Sequence, residues 1–159
     1  MSNSEGGKIA DALLSDLNAG SFSKTFTCAV KYGLRMKLED ADTLHVDVAP
    51  AGVVSERHDR GAITWKSAID IGVRYRFGTT ERDGTTGEIT TAAVDAYRYL
   101  LQEIVTWCYA NPRLSTYTSA VLSDDVAIRA DVIPKHFDEW NQFTAIARVI
   151  YQTDTEMHP

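Results

Sequence analysis

The stretch AIDIGVRYRF, residues 68–77, alternates so strictly that it decides the fold class. Ile69, Ile71, Val73, Tyr75 and Phe77 fall on one side of an extended chain, and Asp70, Gly72, Arg74 and Arg76 on the other. A strand of this kind buries one face and turns the other to water or to a partner. Further strands are expected at Thr25 to Tyr32, at Leu44 to Ala49 with Pro50 stopping the ladder, at Val126 to Val132, and at Phe143 to Gln152. Two helices flank the central strands. Ile9, Leu13 and Leu17, with Ala10 and Leu14 beside them, form a helical stripe that ends near Gly20. Ala93, Tyr97, Leu100, Leu101, Ile104 and Cys108 form a second, ended by Asn111 and Pro112. Helices interspersed with short-range strand connections give the expected class: α+β, a mainly antiparallel sheet with two α-helices packed on one face.

The connections are read from their turn residues. Leu38 to Asp42 is an acidic turn, and Ala51 to Lys66 a long exposed loop. Gly78 to Gly87 is a polar turn, and Thr85 with Glu88 suggests a capping box before the second helix. Residues 1–7 and 153–159 read as flexible ends of a single domain, residues 1–159.

Composition narrows the function. The 159 residues are 44% apolar and 24% charged, enough to bury a real core, with a net charge of −6. That charge argues against a general nucleic-acid binder, whose affinity comes from clustered Lys and Arg. No apolar run is long enough for a bilayer, so the expectation is a soluble, unsecreted protein. Cys28 and Cys108 stand far apart in apolar segments and read as buried free thiols.

Catalytic and metal-binding patterns are missing from the sequence. His45, His58, His136 and His158 have no metal-ligand spacing, and neither a nucleophile elbow nor a phosphate loop or dinucleotide fingerprint occurs. Ser55, His58 and Asp59 hold the letters of a hydrolytic triad, but neighbours in one loop are not the convergent arrangement a triad needs. Base stacking by Tyr75 and Phe77 is disfavoured because they share the apolar side, opposite Arg74 and Arg76. Those arginines instead read first as ordinary outward-facing groups beside core aromatics, and second, with Asp70 on the same face, as an electrostatic contact between subunits. The loop carrying Arg57, His58, Arg60 and Trp65 is the best candidate recognition surface, since Arg and Trp favour interface hot spots. Trp65, Tyr117 and Trp140, outside the core stripes, also hint at partner contact.

In order and character, IADALLSDLNAGSFSKTF (residues 9–26), YGLRMKLEDADTLHVDVAP (32–50), AIDIGVRYRF (68–77) and HFDEWNQFTAIARVIYQ (136–152) resemble the tail-terminator or neck proteins of tailed bacteriophages. The resemblance spans nearly the whole chain, through degenerate patterns of apolar and turn residues. It implies a non-enzymatic virion protein without cofactor or metal, forming a ring, usually of six copies. Such a ring caps the tail tube, meets the head connector and lets genomic DNA pass without specific binding. Arg57, His58, Arg60, Trp65, Arg74, Arg76 and, in the second loop, Arg82 are then the expected partner contacts. Glu39, Asp40, Asp42, Asp124 and Asp125 are expected to face the lumen, where negative walls would keep DNA from sticking. The Trp107, Cys108, Tyr109 cluster is not demanded by the family pattern. The alternatives are another connector-region adaptor or minor tail protein, and a soluble ligand-binding module or small enzyme with a convergent polar pocket.

Overall fold

The computed structural model describes residues 4–32, 43–57, 62–123, 127–130 and 133–156. Along the chain run α1 (Glu5–Ala19), β1 (Thr27–Val30), β2 (His45–Arg57), β3 (Ala62–Arg76), α2 (Thr91–Ala110), β4 (Val121–Leu122), β5 (Ala127–Ala130), α3 (Pro134–Trp140) and β6 (Gln142–Glu156). The α+β class holds. The six strands form one sheet in the order β1-β2-β3-β6-β4, with β5 also on β6. It is mixed: β1 runs parallel to β2, and every other pairing among the described residues is antiparallel.

The alternation that set the class also sets the register. Val46 pairs with Val73 and Val73 with Ala145, while Val48 pairs with Ile71 and Ile71 with Ala147, so one sheet face is a continuous apolar surface. α1 covers it over β1, β2 and β3, and α2 covers it over β6. Ile9, Leu13 and Leu17 of α1 and Leu100, Leu101, Ile104 and Cys108 of α2 are fully buried there. Tyr75 stacks on Tyr97 with ring centroids 4.5 Å apart, and Phe77 meets Tyr97 edge-on at 5.7 Å. Both aromatics therefore lie on the core side.

Several boundaries differ from the sequence expectation. Residues 5–7 are helical, not frayed, because the Ser4 hydroxyl accepts from the Gly7 N–H at 3.2 Å and caps α1. The second helix is capped by Thr90, which accepts from the Ala93 N–H at 3.3 Å; Thr85 belongs to the preceding turn, where its N–H donates to Asp83 at 2.8 Å. Pro50 does not end its strand. β2 passes it through a register shift between Pro50 and Gly52, and an irregularity of this kind lets a proline sit inside a strand. Most of the stretch expected to be a long loop is consequently strand, in two arms paired from Gly52 with Ala68 to Arg57 with Ile63. At the other end β6 continues to Glu156, paired with Ala62, so residues 153–156 are not a loose tail. α3 was not expected from the sequence. Leu38 to Asp42 lies outside the described residues.

Candidate functional site

Two surfaces gather the residues with recognition chemistry: the second face of the sheet, and the end of the sheet that reaches past the helices. On the second face the strands bring His45, Arg74 and Thr144 into one row, and Ala49, Asp70 and Arg148 into another. Arg74 and Asp47 form a salt bridge between side chains that are each only 1% exposed. Lys31 adds a second cation, its Nζ 3.3 Å from Asp47 Oδ1. Asp70 accepts two hydrogen bonds from Arg148, at 2.6 and 2.7 Å, in the fork geometry that suits guanidinium and carboxylate.

This corrects the expectation for Arg74, because a side chain so buried cannot meet a partner. Alternation placed it correctly on the non-core face but carried no information about what covers that face. Asp70, read as part of the same subunit contact, is held within the chain by Arg148. Arg76 is exposed at the end of β3, beside Gln142. α3 closes this end of the face: His136 Nδ1 lies 3.0 Å from Thr144 Oγ1, which also accepts from Gln142 Nε2 at 2.8 Å. Burial first, then the positive charges of Lys135 and Arg74, hold the His136 pKa below its ordinary value, against the opposing pull of Glu139.

The far end of the sheet is different. Ala51 to Arg57 are all exposed, and Val53 and Val54 keep 45% and 61% of their surface accessible. Arg57 is on this arm, and Trp65 sits half-buried on the facing strand, paired with Ser55 and Thr153. Lys66 is paired with Glu56 at 3.1 Å. His58 and Arg60 lie outside the described residues, as do Glu39, Asp40, Asp42, Asp124 and Asp125.

The turn from Gly78 to Gly87 is tied to itself. Arg82 Nη1 donates to the Gly87 carbonyl at 2.7 Å, Asp83 accepts from the N–H groups of Thr85 and Thr86, and Gly87 takes a φ of +72°, which favours glycine. Arg82 thus has a role inside its own turn. Tyr117 is likewise used internally, donating to Glu5 Oε2 at 2.7 Å. Burial alone would raise the Glu5 pKa, but its hydrogen bonds from Tyr117 and Lys8 outweigh that and hold it low.

Trp107 and Tyr109, noted in the sequence, belong to a wider aromatic surface on the outer side of α2 that sequence reasoning did not assemble. Tyr99 and Tyr109 are half exposed, and Trp107 separates two open grooves of about 360 and 290 Å³, the first lined by Phe22, Tyr99 and Thr106 and the second by Asp16 and Arg113. The signal was available in the near absence of charge after Arg98, where only Glu103 interrupts the helix, and Glu103 accepts from the Ser23 N–H at 3.1 Å. Cys28 and Cys108 are buried free thiols, each pushed up to about 12 by burial. Among the described residues, no three His, Cys, Asp or Glu side chains converge to hold a metal ion, and no helix is long and apolar enough to cross a membrane. No protein-family model matches the chain, and no curated protein matches it.

Proposed function

We propose that this chain is a structural subunit of a tailed-phage neck, assembling into a ring, most simply a hexamer, that terminates the tail tube and meets the head connector. The observation that carries the reading is the exposed arm of β2. A thirteen-residue strand leaves its last seven residues exposed, with two valines among them, although the chain has a complete core elsewhere. In the ring reading this arm is surface that a partner would cover. The internally satisfied charges of the second sheet face fit the same reading, because they stiffen the scaffold that presents the arm. Order and character of the sequence segments, described above, supply the kind of assembly.

The partners of the ring are further copies of the chain, the tail tube protein and the head connector, with genomic DNA passing through the channel. The test is negative-stain imaging of the purified protein alone and after addition of tail tubes. The reading predicts rings with a central hole, free or at one end of the tube. Tubes that remain bare beside a monomeric protein would overturn it.

A further inference from the structure

Two exposed apolar surfaces of this chain differ in shape. One projects: among the described residues, β2 has β3 on one side and no strand on the other beyond Val48, and Ala51–Ser55 run exposed along that edge with Val53 and Val54 among them. The other is hollow: the groove of about 360 Å³ beside α2, lined by Phe22, Tyr99, Gln102, Thr106 and Trp107. They lie at opposite ends of α1. A Cβ placed on Gly6, in the first turn, would be 3.5 Å from the Val53 side chain, whereas Asp16 and Ala19, in the last turn, share the adjoining groove with Trp107. At 1.5 Å per residue, about 15 Å of helix separates Gly6 from Asp16. Pairing with β3 holds the arm in the sheet, away from the groove of its own chain.

We infer that the β2 arm of one copy seats on the α2 groove of the next, with Val54, on the strand face opposite Val53, against Tyr99 and Trp107. The inference rests on the ring reading and names its contact.

Charge and polarity make a second copy the occupant. α1 and α2 hold five carboxylates against Lys8 and Arg98, while the arm and the facing segment Ala62–Lys66 hold Arg57 and Lys66 against Glu56, so helix layer and arm attract. Covering a strand edge requires partners for its N–H and C=O groups. The α2 surface offers uncharged ones: Tyr99, Gln102, Thr106 and Tyr109 are exposed and recur at steps of three and four, hence on one face of the helix. Tyrosine and tryptophan are also the residues that contacts between chains favour. Because arm and groove are different surfaces, the contact is heterologous and repeats from copy to copy until a ring closes.

Complementary variants separate this contact from the ring itself. Val54→Lys spoils the arm and Thr106→Lys the groove, both at exposed positions outside the core. Each variant alone is expected to be monomeric by light scattering where the wild type assembles, with a native circular dichroism spectrum. Mixed in equal amounts, they are expected to form a dimer and nothing larger, because the intact arm of Thr106→Lys still fits the intact groove of Val54→Lys. Tyr99→Lys, also in the groove, is expected to behave as Thr106→Lys does, and replaces it if that chain loses the native spectrum. Assemblies that persist in either variant, or a mixture that stays monomeric at the highest concentration, would overturn the arm-to-groove contact and leave the ring standing. A wild-type chain that is monomeric at every concentration and on tail tubes would overturn both.

Discussion

Asp47 and Arg74 bear the largest electrostatic stake of any pair among the described residues, since both are 1% exposed and joined by a salt bridge. Removing one partner of such a pair leaves the other charged and buried, which costs about 3–5 kcal/mol. Asp47→Asn should lower stability by roughly that amount in urea unfolding, whereas Asp47→Leu combined with Arg74→Met should fall much closer to wild type. The position of Arg74 also shows what alternation can reveal. Its side of the strand was legible from residues 69–77, because a period of two assigns faces. Its burial was not, because cover comes from parts of the chain remote in sequence. His136 gives a second test at this scale. Its pKa is depressed in the folded protein, so the unfolded chain binds more protons as the pH falls below about 6.5, and stability must drop with acidification. The urea midpoint of the wild type should therefore fall more between pH 7.5 and 5.5 than that of His136→Gln. Equal falls would remove His136 from the account.

Helices show how much of an element is written locally. The stripe from Ala93 to Cys108 was sufficient for α2, since a period of 3.6 extends over several turns. Its start was misplaced because Thr85 and Thr90 both offer a capping hydroxyl, and only the second has the first helical turn after it. Thr90→Ala should cost about 1 kcal/mol and Thr85→Ala much less, measured as the shift in urea midpoint at constant slope. α3 escaped notice for another reason: seven residues are too few to display a periodicity. Pro134 at its start and Asn141 at its end, with a φ of +52°, were its only boundary signals. The β2 arm was mistaken for a loop because Pro50, Gly52 and Gly61 have the composition of one. A proline at a strand irregularity gives the same letters as a proline that ends a strand. Of the candidate site, Arg57 and Trp65 were singled out from composition, but their place on two paired strands, one arm exposed and the other half-buried, exists only once the strands are paired.

For the whole molecule, one apolar sheet face under α1 and α2 accounts for the core, and the exposed β2 arm accounts for the surplus. The open grooves around Trp107 are shallow places on α2 rather than enclosed cavities. In the proposed ring such a subunit would work by joining others, and the acidic balance of the chain, −6, would suit a channel through which a polyanion slides. The most direct measurement is the mass of the wild-type protein by light scattering across a wide concentration range. The account predicts a discrete closed assembly, a hexamer of the 17.6 kDa chain, whose population grows with concentration at the expense of monomer. A mass fixed at that of a single chain over the whole range, with none recruited to tail tubes, would contradict it.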